Sequence, residues 1–431
     1  MKPGYKQTEV GVIPEDWEVK LFSELFAFRN GVNADKAAYG QGIRFINVLE
    51  PITYSHIHGP EITGKVTLPE SVVASYSVRR GDVLFNRTSE TQEEVALAAT
   101  YLGSEPVVFG GFVIRGRPLA ENFDPTYSGY ALRAPCIRSQ IIPMGQGAVR
   151  ANVGQQNLGR VLAPVPPLPE QRAIASALSD VDGLLGALDR LIAKKRDLKQ
   201  AAMQQLLTGQ TRLPGFTPEN VSFKQTEVGK IPEDWDVTEI GDGIDLLTGY
   251  PFPSSEYATT GVRLLRGSNV KRGQTDWDED ITQYWEAITP DIRRYELKDG
   301  DLVIAMDGSL VGRSYARLAP DDLPALLLQR VARIRTKTID VAYLCAFVGS
   351  DRFVKYSDSV KTVTAIPHIS PGDIRKFRIP VPPTLSEQAA IAGVLSDMDA
   401  ELAALEERRE KTRALKQGMM QELLTGRTRL I

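Results

Sequence analysis

The feature that most constrains this chain is a pair of long amphipathic segments that repeat each other. Residues 170–207 contain no proline, and apolar residues recur at alternating steps of four and three: Ile174, Leu178, Val181, Leu185, Leu188 and Ile192. Residues 387–424 repeat this pattern with Ile391, Leu395, Met398, Leu402 and Leu405. Such spacing predicts two helices, each with an apolar stripe that packs along another helix.

The flanks of these helices repeat as well. Each helix follows a proline-rich lead, VPPLPEQ at Val165 and VPPTLSEQ at Val381, and each ends alike, in LLTGQTRL or LLTGRTRL. Upstream, KQTEVGVIPEDWEV at Lys6 returns as KQTEVGKIPEDWDV at Lys224. A period of roughly 217 residues is far too long for a solenoid and matches a domain plus its helix. The glycines that follow the helices, Gly209 and Gly426, are placed to be C-caps.

We therefore divide the chain into a first domain (1–164), a helix with a linker (165–223), a second domain (224–380) and a second helix (381–431). In the first domain, β-branched runs between Gly, Asn and Asp predict strands near residues 43, 82, 95 and 107. Residues 21–28 and 126–142 are predicted to be helical, and Trp17 to be a buried anchor. The fold class is α+β, with an irregular, largely antiparallel sheet.

The second domain keeps the scaffold of the first. Gly261–Leu265 matches Gly42–Ile46, Gly300–Ile304 matches Gly81–Phe85, and Gly249 matches Gly31. The intervening segments differ freely, NRTSETQEE in one domain and AMDGSLVGRS in the other. Loops on a common scaffold are where binding specificity usually resides.

The connection between the two helices indicates how they pair. A parallel pair would need the linker to run back along a helix of roughly 57 Å, whereas some 16 residues reach at most ~55 Å when fully extended. We therefore expect an antiparallel coiled coil with pseudo-twofold symmetry, which holds two similar domains apart at a fixed distance. DNA with two separated half-sites is the ligand that such an arrangement suits, since one helical turn spans ~34 Å.

Composition limits the remaining possibilities. The net charge is −3, whereas domains that bind DNA alone are usually basic, so positive charge is confined to one face or a partner supplies phosphate contacts. Two cysteines, no apolar leader and no long apolar run predict a cytoplasmic protein without a membrane span.

Two short patterns are similar to catalytic motifs. Asp124-Pro125-Thr126-Tyr127 resembles the Asp-Pro-Pro-Tyr motif of amino-methyltransferases, but Thr126 replaces the second proline and no glycine-rich cofactor loop accompanies it. Pro290-Asp291 followed by Glu296-Leu297-Lys298 resembles a nuclease pattern, but the gap is too short for its usual layout. A G-x-x-x-x-G-K-[ST] phosphate-binding loop is absent from the sequence. Nothing in the sequence therefore supports catalysis by this chain.

The ordered set of motifs resembles the specificity subunits of type I restriction–modification systems over essentially the whole chain. The residues that carry the resemblance are EQxxI at the start of each helix, after a proline-rich lead (Glu170, Gln171, Ile174; Glu387, Gln388, Ile391), GDVLFNRTSE from Gly81 and IPHIS from Ile366. The resemblance implies a non-catalytic subunit with two target-recognition domains, each reading half of a bipartite double-stranded DNA site. It also implies two adenine-N6 methyltransferase subunits and two restriction subunits as partners, which hold S-adenosylmethionine, ATP and Mg²⁺; this chain would hold no cofactor and no metal.

We rank candidate DNA-contacting residues by side-chain type in the loops between strands. In the first domain they are Asn86, Arg87, Thr88, Ser89, Arg150, Asn152, Gln155, Gln156 and Asn157, the last five in an amide-rich loop that could equally be a solvated turn. In the second domain they are Arg266, Ser268, Asn269, Lys271, Arg272, Arg313, Ser314 and His368. His368 matches Asn152 between the repeats, although a histidine in such a turn is more often structural.

Three further features, and the function of the chain itself, have two interpretations each. Arg44 and Arg263 share a repeat position, which suits phosphate contacts or structural salt bridges equally. Arg409 replaces Ile192 in the helical stripe, so it either packs its stem and extends its head to water or contacts a modification subunit. The LLTG…TRL endings are docking sites or simple caps. Finally, a scaffold that binds only proteins is the alternative to DNA recognition.

Overall fold

The computed structural model describes residues 3–121, 123–147, 150–220 and 222–430. The chain folds into two compact units, Met1–Asp189 with Glu407–Ile431, and Arg190–Glu406. Each unit contains one mixed domain together with part of each long helix. The two units group residues that contact each other in space, whereas the four predicted parts divide the chain by sequence position.

The first unit combines many short strands with short helices before the first long helix. Its strands are β1 Tyr5–Thr8, β2 Gly11–Pro14, β3 Glu18–Leu21, β4 Phe26–Asn30, β5 Tyr39–Ile46, β6 His56–Ile57, β7 Lys65–Val66, β8 Ser77–Val78, β9 Val83–Asn86, β10 Thr88–Ser89, β11 Ala98–Tyr101, β12 Val107–Phe109, β13 Val113–Pro118, β14 Ala151–Asn152 and β15 Leu162–Val165. Its helices are α1 Phe22–Leu25, α2 Leu49–Thr53, α3 Glu70–Tyr76, α4 Pro125–Ala131, α5 Pro135–Ile141 and α6 Gln155–Gly159, followed by α7 Leu168–Leu206.

The second unit follows the same plan with fewer elements. Its strands are β16 Phe223–Thr226, β17 Gly229–Pro232, β18 Asp236–Glu239, β19 Ile244–Thr248, β20 Val262–Leu265, β21 Gln283–Trp285, β22 Leu302–Ala305, β23 Tyr315–Arg317, β24 Ala325–Leu327, β25 Val331–Thr336 and β26 Arg378–Val381. Its helices are α8 Val341–Val348, α9 Asp351–Val360 and α10 Pro371–Arg375, followed by α11 Leu385–Leu423.

The sheets of the two units have matching topology. In the first unit the main sheet has the order β4-β13-β9-β11-β6, and a second sheet has the order β7-β5-β12-β8. In the second unit the equivalent orders are β19-β25-β22-β23 and β21-β20-β24. The pairs β5–β12, β6–β11 and β20–β24 are parallel, whereas the main-sheet pairs β4–β13, β9–β13, β19–β25 and β22–β25 are antiparallel. The predicted α+β class, largely antiparallel sheet and internal repeat are therefore confirmed.

Both long helices form where the sequence predicts them. Ile174, Leu178, Leu188 and Ile192 are buried, as are Ile391, Leu395 and Leu402. In the first unit Lys416 pairs with Asp182 at 2.6 Å, and Arg409 with Asp189 at 3.4 Å. In the second, Lys195 pairs with Glu401 at 2.7 Å and Lys199 with Asp399. Within each unit the two helices therefore run antiparallel, as predicted.

Two of the short predicted helices are corrected. The helix predicted over residues 21–28 ends at Leu25, because Phe26 begins β4 and pairs with β13. The stretch 126–142 is broken into α4 and α5, since Pro135 cannot continue a helix from the preceding residues but suits the first position of a new one. The local sequence pattern predicted a helix correctly in both places. Strand pairing sets the end of α1, and the proline that opens α5 sets the break after α4.

Each unit is closed by the tail that follows the other repeat's helix. In the first unit, Arg429 donates to Glu170 at 2.5 and 2.8 Å and to Asp16 at 2.8 and 3.0 Å, and Trp17 Nε1 donates to Glu170 at 2.9 Å. Trp17 is fully buried, as predicted. The Arg429 hydrogen bond lowers the pKa of Asp16, so the ion pair is complete at neutral pH.

The second unit repeats this closure with Arg212. Its guanidinium contacts Glu387 at 2.6 Å and Asp234 at 2.9 Å, beside the fully buried Trp235. Burial raises the pKa of Glu387 even though the hydrogen bond from Arg212 acts in the opposite direction. Gly209 and Gly426 have φ of 66° and 68°, which confirms them as helix caps. The arginine of each TRL ending thus binds acidic residues of this same chain.

Candidate nucleic-acid interface

In the first unit, three segments meet where β9 ends. Arg87 N donates to Phe112 O at 2.7 Å, and Val153 N donates to Arg87 O at 3.0 Å. Beside these backbone bonds, Thr88 Oγ1 donates to Asn152 Oδ1 at 2.6 Å. We call residues 86–89, 112 and 150–152 the first rim. It brings together candidates that lie more than sixty positions apart in sequence.

The second unit builds an equivalent surface where β22 ends. Met306 N donates to Arg330 O at 2.9 Å, and Ile369 N donates to Met306 O at 2.9 Å. Asp307 and His368 pair across this junction as Thr88 and Asn152 do in the first unit. We call residues 305–308, 330 and 366–368 the second rim. The predicted match between His368 and Asn152 is therefore confirmed in space.

The candidates of the first rim differ in exposure. Asn152 is exposed, and Arg150 is 57% exposed and lies 3.6 Å from Glu90. Arg87 and Thr88 are half-buried. Asn86 and Ser89 are buried; Ser89 donates to Glu94 at 3.0 Å, and the Asn86 amide has no hydrogen-bond partner among the described residues.

The amide-rich stretch after Asn152 is not a loop as predicted. Gln155, Gln156 and Asn157 lie on α6, which begins directly after Gly154. Gln155 and Gln156 line a surface depression beside α1 and β4. The extended backbone at Gly154 separates β14 from this helix, so these amides belong to a different element from Asn152. Their DNA contacts stay a prediction.

In the second unit, the turn after β20 lies beside the second rim. A Cβ at Gly267 would be 3.4 Å from Asp307 Oδ1. Asn269 is fully buried, where its amide accepts from Arg266 N at 3.1 Å and donates to Asp276 O at 2.9 Å. Asn269 thus shapes the turn. Ser268 and Arg272 are exposed, whereas Arg266 and Lys271 are half-buried. Lys271 lies 3.4 Å from Asp276.

A small charged network surrounds the end of α9. Arg313 donates to Asp358 at 2.9 Å, and Lys361 donates to the same carboxylate at 2.6 Å. These two cations lower the pKa of Asp358 to about 2, so Asp358 is charged at neutral pH and offsets part of their positive charge. Ser314 is buried, whereas His368 is exposed and its Nδ1 lies 2.9 Å from Thr362 Oγ1.

Arg44 and Arg263 occupy the same place in the two units, with internal partners in both. Arg44 contacts Glu105 at 3.0 Å and donates to the carbonyls of Gly59 and Ile62. Arg263 donates to the carbonyls of Asp321 and Leu323 and lies over the Trp277 ring. The contact between Arg44 and Glu105 matches the salt-bridge alternative given above, whereas Arg263 is held by carbonyls and a ring. Phosphate contact stays a prediction for both.

Phe112, Asp307 and Arg330 are rim residues that were not among the sequence candidates. Arg330 is 63% exposed, lies 3.5 Å from Asp307 and has a φ of 68°. Phe112 occupies the equivalent position and is 54% exposed. The signal was available, because both residues immediately precede the matching strands VIRGR and VARIR, but β-pairing was needed to place them at the rim.

The structure also accounts for the motif that resembles a methyltransferase site. Asp124 caps α4, accepting from Thr126 N at 2.9 Å and Tyr127 N at 3.0 Å, while the Tyr127 side chain is fully buried. Among the described residues, no cluster of His, Cys, Asp or Glu could hold a metal ion, and no helix could cross a membrane.

Comparison with known proteins points in one direction. Residues 232–414 match the family model described as "Type I restriction modification DNA specificity domain". The chain is 27% identical to the type I restriction enzyme MjaVIII specificity subunit of Methanocaldococcus jannaschii, covering 97% of this chain and 94% of that one. It is 28% identical to the putative MjaX specificity subunit of the same organism, covering 99% and 97%. A type I S subunit structure from M. genitalium shares the fold, with a TM-score of 0.56, 14% identity, and 94% and 96% coverage.

Proposed function

Since the chain belongs to the specificity subunits of type I restriction–modification systems, we propose that each of its units reads one half of a bipartite double-stranded DNA site. The first rim contacts one half-site and the second rim the other. The two long helices set the distance between the half-sites and bind the modification subunits. The chain itself carries out no chemistry in this proposal.

The observation that carries this proposal is the contrast between a repeated framework and diverged rims. The backbone bond that joins Arg87 to Phe112 recurs between Met306 and Arg330. The side chains on this framework differ, with Thr88 and Asn152 in one unit and Asp307 and His368 in the other. Selection for folding alone would not require such different polar groups at matched surface positions, whereas two different base sequences would.

The charge of the chain argues that partners share the DNA contacts. Many arginines and lysines have acidic partners within the chain, including Arg117 with Asp82 and Arg335 with Asp301. The net charge is −3, and neutralising several phosphates requires several available cations. We therefore propose weak DNA binding by the isolated chain and tight binding in complex with two methyltransferase subunits.

The proposed complex places all chemistry on other chains. Two modification subunits would use S-adenosylmethionine to methylate adenine N6, and two restriction subunits would use ATP and Mg²⁺. This chain would contribute the choice of sequence. The chain would then be located with the host DNA. This agrees with the cytoplasmic location predicted from its composition.

The test is to co-express the chain with its methyltransferase partner and map N6-methyladenine across the host DNA. The expected motif has two short half-sites around a fixed, unspecified gap. Thr88→Ala with Asn152→Ala should alter only the first half-site, because both side chains lie on the first rim. Gln7→Ala, an exposed amide in β1 of the same unit, is the matched control.

An undivided motif, or methylation unaffected by deleting the chain, would contradict DNA recognition. The scaffold alternative would then be tested by salt dependence. Affinity through phosphate contacts falls steeply with salt, while apolar docking of proteins does not.

A further inference from the structure

Arg330 combines two features that do not help the second unit to fold. Its backbone has a φ of 68°, a left-handed conformation that side chains other than glycine, asparagine and aspartate rarely adopt. Its ion pair with Asp307 spans 3.5 Å, and the arginine side chain is 63% exposed. Exposed ion pairs contribute little to stability, so this pair does not explain why a strained arginine is kept here.

The framework holds this strained residue firmly in place. Met306 N donates to Arg330 O at 2.9 Å, and Val331, the next residue, begins β25 in the interior of the main sheet. Asp307 lies on the adjoining segment, where it pairs with His368. The guanidinium is therefore presented at the surface by a rigid strand end and oriented by a neighbouring carboxylate. Strain that surrounding structure enforces at a surface position points to a binding role.

We propose that Arg330 is the guanine-reading residue of the second unit and that Asp307 positions it; this inference rests on the proposed function. A guanidinium has five N–H donors, and Nη1 is the atom that approaches Asp307, so donors remain for a base edge. The planar fork of arginine matches the O6 and N7 acceptors of guanine, and a carboxylate can accept from the N4 amine of cytosine. The pair is thus complementary to a G·C base pair in the major groove.

Asp307 distinguishes base contact from phosphate contact. A carboxylate 3.5 Å from the guanidinium would repel a phosphate that approached the same arginine. It would not repel the neutral edge of a base pair.

The matched positions of the first rim carry no such pair; its exposed arginine, Arg150, lies on a different segment and pairs with Glu90 at 3.6 Å. Phe112 stands in the place of Arg330, and Thr88 in the place of Asp307. Phe112 is 54% exposed and carries no charge, so it cannot make the same contact with guanine. Changes at Arg330 should therefore affect the second half-site alone.

The experiment uses the full-length chain in complex with its methyltransferase partner and four variants: Arg330→Ala, Arg330→Lys, Asp307→Asn and the control Arg293→Ala. Arg293 is an exposed arginine of the same unit outside the rim. Methylation mapping gives the motif of each complex. Titration with duplexes in which individual G·C pairs of the second half-site are replaced by A·T then gives the discrimination at each position.

We expect the wild type and Arg293→Ala to prefer one G·C pair by roughly tenfold or more, and Arg330→Ala to lose that preference with the first half-site unchanged. Arg330→Lys keeps the charge but not the fork, so it should lose most of the discrimination. Asp307→Asn should weaken discrimination, because Arg330 loses the carboxylate that orients it.

Two results would overturn the inference without touching the proposed function. One is a bipartite motif that Arg330→Ala leaves intact. The other is equal weakening of all duplexes by Arg330→Ala with a smaller salt slope, which is the behaviour of a phosphate contact. If the wild type gave no bipartite motif, the proposed function would fail and the inference would fall with it.

Discussion

The two units differ most at their rims and least in the interactions beneath them. Asp82 binds Arg117 in the first unit at 2.6 Å, and Asp301 binds Arg335 at 2.5 Å in the second. Gly31 and Gly249 each allow a neighbouring backbone carbonyl to approach so closely that a Cβ would overlap it. At the surface, by contrast, the first unit has Phe112 where the second has an arginine. The two units therefore share the buried ion pairs and close-packed glycines that the fold requires, and they differ in the side chains exposed at the rims.

The largest expected effect tests whether the two tails are equivalent. Arg212→Ala should destabilise the second unit by about 3–5 kcal/mol, because it leaves Glu387 buried without its cation. Arg429→Ala should cost the first unit about 1 kcal/mol less, since Trp17 Nε1 still donates to Glu170. In the second unit, Trp235 Nε1 has no hydrogen-bond partner among the described residues.

Hydrogen–deuterium exchange resolved by peptide would report the two units separately. Protection should fall in β16–β18 for Arg212→Ala and in β1–β3 for Arg429→Ala. Equal losses in both units from either variant would contradict the assignment of each tail to one unit. Arg427→Ala, in the same tail as Arg429 but exposed, is the matched control.

A second, smaller effect tests the shared framework. Gly31→Ala and Gly249→Ala should each destabilise by about 1–3 kcal/mol, because the added Cβ would overlap the carbonyl of Gly110 or Leu328. Gly183→Ala and Gly393→Ala are matched controls in the long helices, where an added Cβ meets nothing within 4 Å, and they should be stabilising. Urea denaturation measures all four. A large difference between Gly31→Ala and Gly249→Ala would show that the framework is not equivalent in the two units.

The smallest expected effect is a pH dependence of the first unit. His56 Nε2 lies 2.8 Å from the carbonyl of Thr126 and its ring packs against Tyr130. Burial lowers the pKa of His56, so the unfolded chain takes up a proton more readily than the folded chain. Stability from this residue is therefore present above the ordinary histidine pKa of about 6.5 and is lost as pH falls through the lower folded value.

Hydrogen exchange of β11 amides between pH 7 and 5, corrected for intrinsic rates, measures this loss. His56→Gln should remove the pH dependence while leaving a neutral side chain of similar polarity. The α8 region of the second unit provides the internal comparison, because the single histidine of that unit, His368, is exposed. An unchanged pH profile in His56→Gln would assign the effect to another group.

Local chemistry determines the parts of the fold that could be predicted from sequence. The helical stripe ending at Ile192, the caps at Gly209 and Gly426, and the anchor Trp17 all depend on spacing or on conformational preference within a few residues. The ends of α1 and α4 were less accessible, because strand pairing at Phe26 and the proline that opens α5 decide them.

The site was less predictable than the fold. Asn86 and Asn269 have side chains suited to reading adenine, yet both are buried beneath the surface, and residue type alone does not reveal burial at the end of a strand. Arg330 was missed for the opposite reason. It lies in a short connection between β24 and β25 that carries no motif, and only the pairing of strands distant in sequence brings it next to Asp307.

Each unit is closed by the tail that follows the other repeat's helix, and this affects the order in which the two units can be completed during translation. Residues of the second unit, Arg190–Glu406, are all translated before Glu407–Ile431, which the first unit also needs. Leu423 and Leu424 complete its apolar core, and Arg429 neutralises the buried Glu170. The first unit therefore cannot close until after the whole second unit has been translated, and a chain cut before Glu407 would leave Glu170 without its cation.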